Sequence, residues 1–356
     1  MAQLEIKQVT KRFGANTALN ELSLTVADGE FFVLLGPTGA GKTTALRTIA
    51  GLEKPTSGSV QIAGEDVRDQ TAAERDVALV FQYYSLYPRY TVRENLAFPL
   101  RSRIRRLPDD EIAKRIAWAS KLLRIEHLLD RKTDRLSGGE MQRVSIGRAI
   151  VREPRAFLMD EPLSNLDAKL REALRGELKN LQTRLKATFL FVTHDQIEAM
   201  SMGDRIGVMQ SGTLMQVGTP NEIYERPNSL FVAGFVGTPS MSFFPAELSA
   251  GGIAALDGKL SVALISSQKP GPLKIGVRSE DVVLGAKQPH QGTIHEVENF
   301  GVEKIVTLRC GEQLVRAATP ASMSTPLGTA VRFGFNPGDL HCFDTASGLR
   351  VNAEGK

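Results

Sequence analysis

Apolar residues along the chain follow two different patterns, which predict two kinds of element. Four short runs are almost continuously apolar, as is typical of strands buried on both faces of a parallel sheet. These runs occupy residues 31–35, 77–81, 156–159 and 189–192. Apolar and polar residues alternate in residues 4–9 and 22–26, which predicts half-buried strands. The pattern therefore predicts an α/β fold with a mostly parallel core sheet and an antiparallel β flap.

Helical periodicity separates the apolar runs. Leucines recur every three or four residues from Leu166 to Leu185, which predicts a helix that packs through one face. A second helical pattern runs from about Glu94 to Leu129. We therefore predict a helical subdomain over about residues 94–150, inserted between the strands of the core sheet.

The character of the chain changes near residue 236, where helical periodicity ends. Short alternating runs follow, separated by glycine and proline, and this pattern is typical of a small barrel of short strands. A chain of 356 residues is also long enough to form more than one core. We therefore predict an α/β domain over residues 1–235 and a C-terminal, OB-like β-barrel over residues 236–356.

Composition narrows the class of protein. No apolar run is long enough to span a bilayer, and the first residues lack the layout of a signal peptide, which favours a cytosolic location. Two cysteines predict neither a disulfide framework nor a zinc site, and a net charge of +4 decides little. The densest basic patch has two readings, a solvated loop or a surface that faces anionic lipid headgroups. It consists of Arg101, Arg103, Arg105 and Arg106.

A glycine-rich loop joins the first apolar run to a predicted helix, and it has the G-x-x-x-x-G-K-[ST] pattern of a phosphate cradle. Its glycines allow successive N–H groups to converge on a phosphate. Lys42 is expected to neutralise the β- and γ-phosphates, and the Thr43 hydroxyl is expected to hold Mg²⁺. The loop and helix start comprise Gly36, Pro37, Thr38, Gly39, Ala40, Gly41, Lys42, Thr43 and Thr44.

Polar residues follow the other three apolar runs directly. Asp160 and Glu161 end the run at 156–159, so Asp160 can reach Mg²⁺ and Glu161 can polarise a water for attack on the γ-phosphate. His194 follows the run at 189–192, where its imidazole can contact the γ-phosphate or orient that water. Gln82 follows the run at 77–81, and its amide can touch Mg²⁺ or water. These residues predict phosphoryl transfer to water.

A second helix start carries a further anion site. Ser137 and Glu140 have the spacing of a capping box, and Gly138 and Gly139 between them leave the first amides of the helix bare. One nucleotide does not need two helix N-termini from one chain. A second copy that faces the first head to tail explains the duplication, because each helix start then closes over the γ-phosphate held by the other chain.

The order and spacing of these motifs resemble the ABC-type ATPase family over residues 1 to about 235. The resemblance implies a P-loop NTPase fold and a homodimer that sandwiches two ATP molecules with Mg²⁺ and hydrolyses them. It further implies that Phe13 stacks on adenine and that Asp167 communicates across the dimer interface. Phe13 considered alone has the character of a core residue.

Further motifs resemble one group within that family, the ATP-binding subunits of bacterial carbohydrate importers of the maltose and glycerol-3-phosphate type. The resemblance implies import of a sugar or sugar derivative through two transmembrane permease subunits, which dock near Tyr83–Tyr90. It also implies an extracytoplasmic solute-binding protein, no nucleic-acid partner and a peripheral position at the cytoplasmic face of the inner membrane. The motifs lie at residues 80–82, 86–88, 91–96, 221–224 and 276–280.

Three alternatives stay open at this point. The first is import of a polyamine, sulfate or iron, because the ATPase itself never contacts the solute. A soluble ABC ATPase that acts on ribosomes or DNA is the alternative outside transport, although such proteins resemble tandem cassettes or a cassette split by a coiled coil, and this chain has neither. The third alternative is that the barrel from residue 236 is mainly a regulatory docking module, which is compatible with transport.

Overall fold

The structure is a computed structural model that describes residues 2–102, 106–249, 253–256, 260–263 and 270–351. The chain divides into two compact units, Met1–Pro220 and Asn221–Lys356. The boundary that we placed between residues 235 and 236 was drawn on sequence periodicity and stays a prediction. Within the described ranges, no helix combines the length and the apolar character needed to cross a bilayer.

The first unit alternates strands and helices along the chain. Its described strands are β1 (Leu4–Phe13), β2 (Asn16–Val26), β3 (Phe31–Leu35), β4 (Ser57–Ile62), β5 (Glu65–Asp66), β6 (Val77–Val80), β7 (Ala156–Asp160), β8 (Phe189–Thr193), β9 (Arg205–Gln210) and β10 (Thr213–Gly218). Its described helices are α1 (Lys42–Ile49), α2 (Val92–Ala97), α3 (Asp109–Leu123), α4 (Gly138–Ile150), α5 (Ala168–Leu185) and α6 (Gln196–Met202).

The core sheet has the strand order β10-β9-β3-β8-β7-β6. Strands β6, β7, β8, β3 and β9 pair in parallel, and β10 pairs antiparallel to β9. Every residue of β3, β7 and β8 is buried, which explains why these strands are continuous apolar runs. The predicted core sheet is confirmed, and its parallel strands bring their carboxyl ends to one edge.

The predicted flap is an antiparallel sheet with the strand order β2-β1-β4-β5. Leu4 pairs with Val26 and Ile6 pairs with Leu24, and all four side chains are buried. The alternation of apolar and polar residues in the sequence therefore matches the pleat of these strands, which places the apolar side chains on one face, towards the core. Both strands are longer than the predicted runs.

Helix α5 buries the stripe of leucines Leu174, Leu178 and Leu181. It begins later than the leucine pattern suggests, because the Asp167 side chain caps it and leaves Leu166 outside the helix. Helices α2, α3 and α4 lie in the predicted helical subdomain. In the basic patch, Arg101 lies 3.6 Å from Asp109 in an exposed ion pair, whereas Arg103 and Arg105 fall outside the described residues.

The second unit contains short strands and two short helices among its described residues. Helix α7 (Pro220–Glu225) spans the junction, and α8 (Leu230–Phe235) follows it. We did not predict α8, because six residues are too few to show a helical period. The strands are β11 (Ser242–Leu248), β12 (Ile253–Leu256), β13 (Leu260–Ala263), β14 (Gly271–Val277), β15 (Val282–Leu284), β16 (His290–Asn299), β17 (Glu303–Cys310), β18 (Gln313–Pro320), β19 (Ala330–Phe335) and β20 (His341–Asp344).

These strands form two antiparallel sheets, with the orders β13-β12-β11-β14-β20 and β15-β19-β16-β17-β18. Residues from both sheets share one hydrophobic core, including Phe244, Ile275, Val306 and Phe333. The expectation of a C-terminal β domain built from short strands is therefore confirmed.

Candidate active site

The glycine-rich loop lies between β3 and α1, with the first amides of α1 directed into it. Gly41 is the N-cap of α1, with φ 97°, and no side chain satisfies the helix start. A Cβ on Gly41 would lie 2.5 Å from the Ala18 carbonyl oxygen, and a Cβ on Gly36 would lie 2.5 Å from that of Met209. Only glycine fits these two positions, and the resulting cradle of bare N–H groups suits an anion.

Lys42 is held inside this loop with 4% of its surface exposed. Its Nζ donates hydrogen bonds to the carbonyl oxygens of Gly36, at 2.8 Å, and Pro37, at 3.0 Å. The same nitrogen lies 3.8 Å from Glu161 Oε1. Burial lowers the pKa of Lys42, and Glu161 and Asp160 partly offset this shift. An ammonium has three donors, so one remains for a phosphate oxygen.

Thr43 and Asp160, two of the three residues predicted to reach Mg²⁺, are in direct contact. The Thr43 hydroxyl donates to Asp160 Oδ1 at 2.8 Å. Asp160 is 7% exposed, and burial raises its pKa despite that hydrogen bond. The Asp160 carboxylate and the Thr43 hydroxyl together offer hard oxygen ligands, and a bound cation would balance the negative charge of the carboxylate. This donor set fits Mg²⁺.

Glu161 and His194 also meet, as the parallel sheet requires. Glu161 Oε2 lies 3.0 Å from His194 Nδ1. The Glu161 backbone has φ 44°, in the left-handed region, and its N–H donates to the Val192 carbonyl at 3.0 Å. A residue other than glycine in that region has a strained backbone, and such strain is often found at functional sites. The carboxylate is thereby aimed past the end of β7 towards both Lys42 and His194.

Gln82 reaches the same place through hydrogen bonds that the sequence does not reveal. Its Nε2 donates to Ser164 Oγ at 3.2 Å, and Ser164 Oγ donates to the Glu161 carbonyl at 3.0 Å. The Asn165 side chain donates to the Gln82 carbonyl at 2.9 Å. Ser164 is therefore a site residue that we missed, because a serine in a turn carries no chemical signal by itself.

Most of the predicted residues line one cavity of about 790 Å³. Phe13 is part of its wall and is 47% exposed, with the Lys11 ammonium 4.6 Å from the ring centroid. Phe13 is therefore not a core residue, and its ring is free to stack on a flat ligand. The cavity is lined by Phe13, Asn16, Thr17, Ala18, Thr38, Gly39, Ala40, Gly41, Lys42, Thr43, Thr44, Gln82, Glu161, His194, Ser211 and Gly212.

Comparison with known proteins places this geometry in a family. Residues 19–164 match the ABC transporter family, and residues 275–343 match the TOBE domain. The chain is 43% identical to the trehalose import ATP-binding protein SugC of Mycobacterium tuberculosis, over 99% of this chain and 98% of that protein. It is 48% identical to the sn-glycerol-3-phosphate import ATP-binding protein UgpC of Rhizobium meliloti, over 97% of this chain and 99% of that protein.

The chain belongs to the ABC transporter family of ATP-binding proteins. Among solved structures, it is similar to a dimeric post-hydrolysis state of the ATP-binding cassette MJ0796 bound to ADP and Pi. The identity is 34% and the TM-score is 0.55, over 61% of this chain and 98% of that one. The resemblance drawn from the motifs is confirmed, and with it the P-loop ATPase fold and the ATPase class of enzyme.

Seven predicted residues of this ABC ATPase do not line the cavity of their own chain. Gly36, Pro37 and Asp160 lie next to residues that do, whereas Ser137, Gly138, Gly139 and Asp167 belong to the starts of α4 and α5. The predicted capping box is present, because Ser137 Oγ accepts from the Glu140 N–H and the Glu140 carboxylate accepts from the Ser137 N–H at 2.7 Å. Asp167 caps α5 by accepting from the Leu170 N–H at 3.0 Å.

Proposed function

We propose that this ABC ATPase acts as a homodimer that binds two ATP molecules with Mg²⁺ and powers the import of a sugar or sugar derivative. One observation carries the proposal: Gln82, Glu161 and His194, which follow three core strands, line one cavity together with Lys42 and the loop glycines, and Glu161 lies 3.8 Å from the Lys42 ammonium. The relatives named for trehalose and sn-glycerol-3-phosphate import support the carbohydrate class of solute.

ATP binding follows from the charges in the cavity. The bare amides of the loop and the Lys42 ammonium offset the charge of the β- and γ-phosphates. The exposed ring of Phe13 supplies a stacking surface for adenine. Thr43, Asp160 and the remaining amide oxygen of Gln82 would hold Mg²⁺. When bound, that ion neutralises charge that develops on the transferred phosphoryl group.

Glu161 is the general base of the proposed reaction. Its carboxylate takes a proton from a water molecule while the water oxygen attacks the γ-phosphorus, and the bond to the β-phosphate oxygen breaks to release ADP and phosphate. His194, at 3.0 Å from the carboxylate, orients it and the attacking water. The hydrogen bonds from Gln82 to Ser164 and from Ser164 to the Glu161 carbonyl hold the backbone that carries the base.

The homodimer accounts for the residues that lie outside the cavity. Ser137, Gly138 and Gly139 present bare amides at the start of α4, and we propose that they close on the γ-phosphate bound by the partner chain. Asp167, at the start of α5, would lie at the same interface. Solved dimers such as that of the MJ0796 cassette support this arrangement.

The proposed surface for the permease subunits is the segment Tyr83–Tyr90. Tyr87 and Tyr90 pack with Phe98, at ring-centroid distances of 4.4 and 6.2 Å, yet each of the three is between 38% and 44% exposed. An exposed aromatic cluster is typical of a protein interface. We propose that two permease subunits dock here, that the complex holds the ATPase at the cytoplasmic face of the membrane, and that an extracytoplasmic binding protein delivers the solute.

The variant Glu161→Gln tests the mechanism. It should retain ATP-dependent dimerisation, since shape and hydrogen bonding are kept, but it should hydrolyse ATP about 10³-fold more slowly because the amide cannot accept the proton. Glu21→Gln is the matched control: Glu21 is also a glutamate in the left-handed region, with φ 48°, but is exposed on the flap. Full hydrolysis by Glu161→Gln would overturn the assignment of the base.

The class of solute needs a separate experiment on the co-purified complex. When the complex is reconstituted in liposomes, ATP hydrolysis should drive uptake of a sugar or sugar derivative. Uptake of a polyamine, sulfate or iron instead would keep the ATPase mechanism and contradict the carbohydrate assignment. Co-sedimentation with ribosomes in the absence of any permease would contradict transport.

A further inference from the structure

The ring of Phe13 has a cation against one of its faces. Lys11 and Phe13 are two residues apart on strand β1, so their side chains leave the same face of the flap. The Lys11 ammonium lies 4.6 Å from the centroid of the Phe13 ring, within the range of a cation–π interaction. Phe13 lines the cavity and Lys11 does not. The face of the ring that Lys11 leaves uncovered is therefore available to a ligand in the cavity.

Two oxygen atoms hold the Lys11 ammonium in this position. Its Nζ lies 2.9 Å from Glu53 Oε2 in an ion pair, and it donates to the Lys54 carbonyl oxygen at 2.8 Å. The side chain of Lys11 is only 13% exposed. An ammonium has three donors, so two serve these oxygens and the ring face can accept the third. Because the oxygens already order the lysine, its contact with the ring costs little further rotamer freedom.

Both oxygens belong to the segment that follows α1, the helix that begins at the phosphate loop. The N–H groups of Leu52 and Glu53 donate to the carbonyl oxygen of Arg47, in the last turn of α1, at 3.0 and 3.3 Å. The segment is thus attached to the end of that helix. Lys11 therefore connects the ring of Phe13 to the same helix whose first amides form the phosphate cradle.

We propose that Lys11 is a positioning residue for the base of the nucleotide, because it fixes the Phe13 ring relative to α1 while the phosphates occupy the loop. The ammonium also draws the π electrons of the ring towards the face that it covers, which reduces their repulsion of a base stacked on the other face. The inference rests on the proposed function, since it assumes that Phe13 stacks on adenine. Neither the motifs nor the resemblance assigned a role to Lys11.

The test measures ATP hydrolysis by the full chain, with tripolyphosphate as a competitive inhibitor that has the phosphates of ATP but no base. Lys11→Met keeps most of the apolar stem and removes the cation. It should raise the KM for ATP about fivefold and leave kcat unchanged, because the ring holds the base equally in the ground state and the transition state. The inhibition constant of tripolyphosphate should not change, because that probe occupies only the phosphate cradle.

Lys7→Met is the matched control for Lys11→Met. Lys7 lies on the same strand, but its partners are Glu5, at 3.1 Å, and Gln61, at 3.4 Å, so its loss should leave the KM for ATP unchanged. Lys11→Arg keeps a cation that can cover the ring, and its KM should stay within about twofold of the parent. A merely structural role of Lys11 in the flap would instead change the KM and the tripolyphosphate constant together and lower the melting temperature.

Two further variants test the path through which Lys11 acts. Glu53→Gln loosens the ammonium without removing it and should raise the KM for ATP about twofold, the effect expected from one partly exposed ion pair. In a chain that already carries Phe13→Leu, Lys11→Met should add little to the KM, because the cation then has no ring to position.

The outcomes separate the two hypotheses. If Phe13→Leu has the KM of the parent, stacking on adenine is wrong, and with it that part of the proposed function. If Phe13→Leu raises the KM and Lys11→Met does not, the proposed function stands and the role of Lys11 is overturned. Equal effects of Lys11→Met with and without the Phe13 ring would also overturn that role, since the cation would then act elsewhere.

Discussion

Lys42 in the first unit and Arg278 in the second are the same kind of buried cation in different surroundings. Each is 4% exposed, and each donates to two main-chain carbonyls. Lys42 faces a cavity and has a third donor to spare, whereas the Arg278 guanidinium lies 3.6 Å over the Tyr224 ring and bonds the Tyr224 and Val236 carbonyls. Burial of a charge therefore indicates a ligand site only where the charge also borders open space.

Substitution of Lys42 should have the largest effect on activity and little effect on folding. Lys42→Met removes the cation that offsets the phosphate charge, so hydrolysis should fall by about 10³-fold. The free energy of unfolding without nucleotide should stay equal or rise at neutral pH, because burial disfavours the ammonium, as its lowered pKa shows. Phosphate release and urea unfolding measure the two effects. Hydrolysis within tenfold of the parent would contradict the comparison.

Substitution of Arg278 should have the opposite profile. Arg278→Met leaves the carbonyls of Tyr224 and Val236 without their donors, so the second unit should lose about 3 kcal/mol in free energy of unfolding. Hydrolysis by the folded variant should not change. Arg278→Lys keeps the charge but cannot hold two carbonyls with a planar fork. Its free energy of unfolding should therefore lie between those of the parent and of Arg278→Met. A loss of hydrolysis without a loss of stability would mean that Arg278 is a functional cation after all.

The sequence was sufficient for the residues whose place depends on topology. Asp160, Glu161 and His194 follow parallel strands, and such strands must bring their ends to one edge. Contacts between segments far apart in sequence could not be predicted, since no period or propensity encodes them. Asn16, at the start of β2, and Ser211, in the turn between β9 and β10, both line the cavity. Only the resemblance to the family predicted that Phe13 faces a ligand, because an isolated aromatic residue is otherwise expected in the core.

The second unit shows the same limit. Two of its motifs were noted in the sequence, but nothing indicated that they touch. Tyr224 comes from the first motif, and Arg278 and Glu280 come from the second. The structure joins them in one hydrogen-bonded cluster, in which the Tyr224 hydroxyl donates to Glu280 Oε1 at 2.5 Å. The motifs that we used to narrow the family thus meet in a contact that stabilises the fold of the second unit.

The smallest expected effect concerns the proton of that cluster. Burial, followed by the hydrogen bond to Glu280, raises the pKa of Tyr224 to about 12. An unfolded tyrosine ionises near pH 10, so between about pH 10 and about pH 12 the folded unit binds one more proton than the unfolded chain. Its contribution to stability is present below pH 10 and should fall above it by at most about 1.4 kcal/mol per pH unit, since the tyrosine is only partly shielded from solvent.

Tyr224→Phe should cost about 1 kcal/mol at neutral pH, through the lost hydrogen bond, and should remove that part of the alkaline slope. Urea unfolding of the second unit across this pH range measures both effects, and ultraviolet absorbance of the phenolate identifies the tyrosine that ionises last. Equal slopes in the parent and the variant would show that Tyr224 ionises as freely as a solvated tyrosine. The cluster would then not be enclosed, and the contrast between Arg278 and Lys42 would lose its physical basis.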